Sequence, residues 1–380
     1  MKKIAVIALA LIVAMTLALG ACSKDNEKEP EKEMVVDTEK SDTVGYVTDD
    51  VDHFARDPYN FVYAYYDESA LVDATFAAFE VTGKAYNFSI TRMSGNESPE
   101  TYMQNLQTLI DRGDVDGFFL DTDPQFQDRL MEALDKSGIP YMNMYTAFFD
   151  ANGSCIRPTV GMKQYDAGYA TGQWLVDNYK AYWGEDVDTS TIGLLNIDFS
   201  VSPDLQARTN GITDAFLKEF PDNEDNVFVV DGLTGGTVSA EVGYDLSSQT
   251  VTANSKIKKW LVSSCLENYA QGAARAAEAL GRDADFLISD VGSIILQDEW
   301  NNGYDGAWKS CLAISDYAYC VPGAVGLIAM VDGRATPETL WEAERDPKDK
   351  CTIWAAENQM VTKDTYKEYF AKIDSTYGVG

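Results

Sequence analysis

Acidic and amide side chains recur at one kind of position in this chain, just after a short apolar run. Tyr66, Asp67 and Glu68 follow residues 61–65, and Asp121 and Asp123 follow 118–120. Asp198 follows Ile197, Glu267 and Asn268 follow the run at 260–262, and Asp290 follows Ile288. Ionised carboxylates only accept hydrogen bonds, whereas an amide accepts and donates, so such a set can line a cleft for a small polar ligand. Two opposed carboxyls can also hydrolyse a glycosidic bond, which keeps an enzyme reading open. Arg208, early in a helix that follows a strand, adds a planar cation with a fork of donors. Asp, Asn and Ser cap helices at these same places, so the argument lies in the repetition of the pattern and not in any one residue. The single histidine, His53, leaves little room for Ser-His-Asp, Cys-His or multi-His metal chemistry, and no G-x-S-x-G occurs. No metal and no cofactor is implied.

The 380 residues are 45% hydrophobic, enough for two packed cores, and rule out a disordered chain. Acidic residues number 61 against 30 basic, a net charge of −31. Such a chain repels nucleic acid and gains nothing from anionic lipid.

Residues 1–22 read as a signal peptide. Lys2 and Lys3 precede an apolar run of 16 residues at 4–19, too short to span a bilayer. The run closes on Leu19-Gly20-Ala21-Cys22, which resembles a lipobox, so Cys22 is the expected lipid anchor. Residues 23–58 form an acidic tether and lead-in with too little apolar surface to fold. The expected location is the outer face of the bacterial cytoplasmic membrane, or its periplasmic face, with membrane contact through the lipid alone. Five further cysteines are scattered without a CxxC and are expected as small buried side chains.

From residue 60 apolar runs alternate with helical periodicity. Leu71, Ala74, Ala78 and Val81 share a helical face that Gly83 is expected to end. Ser98-Pro99 opens the next helix and Gly113 closes it; Phe126, Leu130 and Leu134 face a third, stopped by Gly138. After a break near 145–163 the alternation restarts and runs to residues 286–288. Repeated βα units demand parallel sheets covered on both faces. The predicted fold class is therefore α/β, two doubly wound parallel-sheet domains. Ligands of such sheets bind beyond the carboxyl ends of the strands, where the polar residues above sit.

Particular segments go further. They are Asp116-Gly117-Phe118-Phe119-Leu120-Asp121-Thr122-Asp123-Pro124, then Val160-Gly161-Met162 with Asp166-Ala167-Gly168 and Gly172, then Gln206-Ala207-Arg208-Thr209-Asn210-Gly211-Ile212, and Ala270-Gln271-Gly272-Ala273-Ala274-Arg275-Ala276. In order and spacing over about residues 60–375 they resemble the periplasmic-binding-protein-like sugar receptors of ABC importers, type I fold, and most of all the arabinose-binding branch. Two positions depart: Leu266-Glu267 stands where Asn-Asp is usual, and Ser289-Asp290-Val291-Gly292 where the family has a GfDG strand end. No aromatic stacking residue is evident near the first strand, where Tyr65 or Tyr66 can substitute.

The resemblance implies a monosaccharide-binding lipoprotein, not an enzyme, monomeric, that delivers a pentose or hexose to an ABC permease. The alternatives are a surface carbohydrate-acting enzyme and a sensory co-receptor for a sugar, nucleoside or furanose. It implies domains at 59–162 plus 291–345 and at 163–290 plus 346–380, with three crossings near Met162, Asp290 and residues 344–350. The expected ligand contacts are Tyr66, Glu68, Asp123, Met162, Arg208, Glu267, Asn268 and Asp290, with Arg208 and Asp123 dominant, one from each domain.

Overall fold

A computed structural model describes residues 51–122, 124–235 and 238–377. The signal peptide, Cys22, most of the tether and Asp123 lie outside these described residues. The first sheet is built from β1 (Tyr59–Tyr65), β2 (Phe88–Ser94), β3 (Gly117–Asp121), β4 (Tyr141–Tyr145) and β5 (Thr159–Gly161), joined by α1 (Ala70–Tyr86), α2 (Pro99–Arg112) and α3 (Gln127–Ser137). The chain then enters the second lobe through α4 (Gln164–Trp183), β6 (Ile192–Asp198), α5 (Pro203–Glu219), β7 (Val227–Asp231), α6 (Ala240–Ala253), β8 (Lys259–Ser264), α7 (Glu267–Ala279), β9 (Phe286–Val291), α8 (Ile294–Asn301) and β10 (Trp308–Ile314). It ends with α9 (Asp316–Val331), β11 (Ile353–Ala355), β12 (Asn358–Thr362) and α10 (Tyr366–Thr376).

The sheets have the orders β11-β5-β4-β3-β1-β2 and β12-β10-β9-β8-β6-β7. Every pairing is parallel except β10 with β12. Within each lobe the first strand lies between the second and the third, so the strand order reverses there, and a crevice opens beyond the carboxyl ends. Register keeps those ends level: Tyr65 pairs with Asp121, and Tyr145 with Gly161.

The expected domain boundaries need correction. The chain leaves the first sheet after Gly161, so Met162 lies in the first crossing. It does not return near Asp290. Strand β9 leads through α8 to β10, which pairs with β9 in the same sheet, so the return falls between Ile314 and Asp316. The last crossing lies between β11, paired with β5, and β12, paired with β10, at residues 356–357 rather than 344–350. Apolar alternation in the sequence does not mark α8, β10 and α9 between the strand at 286–288 and one expected at Thr352-Ile353-Trp354, and the expected second return is misplaced for that reason.

The reason α9 belongs to the first lobe is steric as well as hydrophobic. Almost every residue from Ala318 to Met330 is buried, and a Cβ on Gly117 of β3 would meet Leu327 side-chain atoms at 3.0 Å. The helix lies directly on the sheet, and a larger residue at position 117 would push it off. Local chemistry matches expectation at most helix ends: Ser98 caps α2 by accepting from the Thr101 amide, and Gly113 and Gly138 end α2 and α3 in the left-handed region. Gly83 does not end α1, which runs to Tyr86 and stops at left-handed Asn87. A Cβ on Gly83 would lie 2.5 Å from the Phe88 carbonyl oxygen, so glycine there allows close packing of helix on strand. The five described cysteines are all buried free thiols. No helix of the described residues is long and apolar enough to cross a membrane.

A cleft at the strand ends as the candidate functional site

The carboxyl ends of both sheets close around a cavity of about 360 Å³, at the small end of the roughly 300–1,000 Å³ usual for small-molecule sites. The second lobe supplies one wall from the starts of three helices. Gln164 opens α4; Ser202, Asp204, Leu205 and Arg208 open α5; and Leu266, Glu267 and Asn268 open α7. The first lobe supplies Asp121 at the end of β3, Tyr145 at the end of β4, and Asp316 and Tyr319 from α9. Met162 lies between the walls, in the crossing.

Arg208 organises the second-lobe wall. Its side chain is buried; Nη1 donates to the Cys265 carbonyl at 2.6 Å, and Nε and Nη2 donate to Gln164 Oε1 at 3.1 and 2.6 Å. Nη2 also points at Met162 Sδ, 3.4 Å away. Burial holds its pKa below the ordinary guanidinium value. The backbone permits this placement because α4 and α5 touch: a Cβ on Gly168 would stand 1.9 Å from the Arg208 carbonyl oxygen. Glycine at 168, and Gly211 against Tyr165, are therefore the condition for bringing Gln164 to the guanidinium.

Glu267 is more occupied than its expected role as a hydroxyl acceptor. It accepts from the amides of Ile294 and Ile295 at 3.1 Å and of Leu296 at 3.4 Å, and so caps α8. Gly292, at φ +126, makes room: a Cβ there would lie 2.5 Å from Glu267 Cγ. Asp290 does not line the cavity. It lies beneath the cleft, fully buried, accepting from Trp308 Nε1 at 2.8 Å through one oxygen, while the other has no hydrogen-bond partner. Burial, and then the neighbouring Glu267, push its pKa well above the carboxylate range. By contrast Asn268 and Asp204 spend no side-chain hydrogen bond on the described protein, which leaves both for a solute.

The first-lobe wall is a web of hydroxyls and carboxyls. Tyr63 Oη donates to Asp121 at 2.9 Å, and burial raises that carboxyl to about 7. Burial likewise raises Asp316 to about 6, against a hydrogen bond with Thr75. Thr75 Oγ1 donates to the Leu71 carbonyl at 2.7 Å and meets the Tyr145 hydroxyl. Tyr145 stacks edge-on to Tyr319 with centroids 4.7 Å apart, and holds φ at +66. A bulky residue in the left-handed region costs of order 1–3 kcal/mol and persists where the surroundings over-determine it. Among the described residues no group of three or more His, Cys, Asp or Glu could hold a metal ion.

Of the expected contacts, the structure brings together Met162, Arg208, Glu267 and Asn268. It leaves out Tyr66 and Glu68. Tyr66 turns to the far face of its sheet, against Phe126, with its hydroxyl donating to the Glu97 carbonyl; Glu68 accepts from Tyr65 Oη at 2.9 Å. An aromatic side chain at that position gains more from the apolar cluster of Tyr102 and Phe126 than from a polar cleft. The aromatic wall comes instead from Tyr145 and Tyr319, which no spacing signal in the sequence marks.

A family model described as a periplasmic binding protein domain matches residues 60–302. No curated protein matches the chain in sequence. Among solved structures, an ABC transporter periplasmic solute binding protein from Actinobacillus succinogenes with bound D-allose is 14% identical with a TM-score of 0.64, over 82% of this chain and 100% of that one. A solute binding protein from Bacillus halodurans with bound myo-inositol is 14% identical with a TM-score of 0.62, over 83% and 98%. An arabinose binding protein from Geobacillus stearothermophilus is 15% identical with a TM-score of 0.63, over 83% and 99%. At such identities these likenesses carry the fold, two doubly wound α/β lobes. The family match, running over more than half of the chain and across both lobes, carries the rest: the protein belongs to the periplasmic binding protein domain family.

Proposed function

We propose that the protein captures a small polyol of monosaccharide size in the cleft between its lobes and hands it to the permease of an ABC importer. The observation that carries this is the cavity itself, with Arg208, Asp204 and Asn268 on one lobe facing Asp121, Tyr145, Asp316 and Tyr319 on the other. Carboxyl, amide and guanidinium groups hold ring hydroxyls, and tyrosine faces cover the apolar C–H side of a sugar. The ligands named for the similar structures, D-allose and myo-inositol among them, are of this class. Binding across two lobes joined by three crossings favours a closed form, and a permease can read that change of outer shape. The hydrolase alternative is weakened because Glu267, one of its candidate carboxylates, is held by three backbone amides.

Calorimetric titration of the full-length protein in detergent with aldopentoses, aldohexoses and inositols tests the reading. A saturable heat with no chemical change in the solute supports it; product formation would turn it toward catalysis. Anchoring through Cys22 is a separate part of the proposal, and Cys22→Ser should abolish lipid labelling and release the protein or leave it unprocessed.

A further inference from the structure

The cleft carries more negative charge than a neutral solute needs. Its lining holds four carboxyl groups, Asp121, Asp204, Glu267 and Asp316, against one cation, Arg208. That cation is turned inward, toward the Cys265 carbonyl, Gln164 and Met162. Glu267 is likewise committed, to the α8 amides. Among the described residues Asp204 and Asp316 therefore have no cation in contact, Arg208 acting on Asp204 only at a distance, and Asp121 accepts from the Tyr63 hydroxyl. Behind them one buried Asp290 oxygen has no hydrogen-bond partner among the described residues. Desolvation has already driven Asp121 and Asp316 toward protonation, which is what uncompensated carboxylates do when positive charge is lacking.

A hydroxyl-only solute brings no charge to this set. An ammonium group brings three donors and no acceptor, the complement of a wall made of acceptors. The faces of Tyr145 and Tyr319 on the same wall attract a cation further.

We propose that the solute carries a cationic nitrogen, an amino-substituted polyol whose ammonium is received by Asp204 and Asp316 from opposite lobes with Asp121 beside them. This rests on the reading of the cleft as a polyol site. It is tested with matched pairs in calorimetry on the full-length protein in detergent at pH 7.5: D-glucosamine against D-glucose, D-galactosamine against D-galactose, D-mannosamine against D-mannose, and the N-acetyl derivative of each amine. For any skeleton that binds, the amine should bind at least about tenfold tighter than its hydroxyl parent, as expected of one charge-assisted hydrogen-bond set. Acetylation, which removes the charge and keeps the skeleton, should erase the gain. Asp204→Asn and Asp316→Asn should each bring the amine-to-parent ratio toward one, with a single melting transition no lower than that of the parent showing that the fold is intact. A hydroxyl parent that binds as tightly as its amine overturns the cationic solute and leaves the polyol site standing. Silence of all the pairs, and of the aldopentoses and inositols, with the transition intact, overturns both.

Discussion

The two walls of the cleft are built by different means. The second-lobe wall is assembled from helix starts, each a few residues past its strand, and its key groups are tied down: Arg208 by Gln164 and Cys265, Glu267 by the first turn of α8. The first-lobe wall is assembled from strand ends and from α9, which arrives only after the chain has completed the second sheet. Its groups are buried hydroxyls and carboxyls held at raised pKa, around a tyrosine in a strained backbone conformation. The contrast is between side chains tied to named partners on one lobe and a strained tyrosine among buried hydroxyls on the other; carboxyls raised by burial occur on both, Glu267 of the second lobe reaching about 7.

The comparison breaks most readily at Arg208. Arg208→Ala should weaken solute binding by a hundredfold or more, about 3 kcal/mol, because it strands Gln164 and the Cys265 carbonyl and removes the fork that holds the second-lobe wall in place. Arg208→Lys should recover little, since a point charge cannot make the fork. Calorimetry reads the affinity, and an unchanged value for either variant would place the site elsewhere. Next in size is Gly292→Ala. At φ +126, with Glu267 Cγ 2.5 Å from the added Cβ, the variant loses the α8 cap and adds backbone strain. A cost of about 2 kcal/mol is expected, read as a lower melting temperature in scanning calorimetry. Full stability would show that Glu267 does not need that space.

This asymmetry also explains what could be read from the sequence. Arg208, Glu267, Asn268 and Met162 are legible because each lies within a few residues of a strand end in a segment of recognisable spacing. Asp121 is visible as a polar residue after a strand, but the resemblance points to Asp123, which falls outside the described residues. Tyr145, Asp316 and Tyr319 carry no such mark. Tyr145 reads as the last residue of a buried strand, and only its backbone angle and its contact with Thr75 set it apart. Asp316 and Tyr319 depend on α9 crossing back to the first lobe, which in turn depends on β10 extending the second sheet. A periodicity reading sees strands and helices but not which sheet an added strand joins; that choice is made by long-range pairing. The same blindness misplaced the second and third crossings.

A third, smaller effect measures what the buried carboxyls of the first-lobe wall cost. Asp121 is raised from 3.8 to about 7 and Asp316 from 3.8 to about 6, in both cases first by burial. The folded state thus holds these protons more tightly than the unfolded chain. Their contribution to stability is fully present below about pH 4 and is lost as pH climbs through 6 and 7. The melting temperature of the unliganded protein should carry that downward slope between pH 5 and 7.5. Asp121→Asn keeps an acceptor for Tyr63 and removes the charge. It should flatten the slope, stabilising the protein at pH 7.5 by on the order of 1 kcal/mol, a few degrees, while changing little below about pH 4. A parallel slope in the variant would mean that the carboxyl ionises at no cost in its present surroundings.

The smallest effect is expected where sequence spacing and structure disagree most sharply. Tyr66 directly follows β1 and is the natural candidate for an aromatic cover on the ligand, yet its ring packs 5.9 Å from Phe126 on the other face of the sheet. Its hydroxyl reaches the exposed Glu97 carbonyl at 2.9 Å. Tyr66→Phe keeps the ring and loses one solvent-accessible hydrogen bond, a change of about 0.5–1.5 kcal/mol in stability at most and none in affinity. Tyr145→Phe removes a hydroxyl of the same kind from the cleft wall, where it meets Thr75 Oγ1, and keeps the ring against Tyr319. Its affinity should fall several-fold with the fold intact. Titrating both variants with the same solute separates the two faces of one sheet. Equal losses would mean that the cleft extends past the end of β1 to Tyr66, and that the division between a ligand face and a packing face at this strand is wrong.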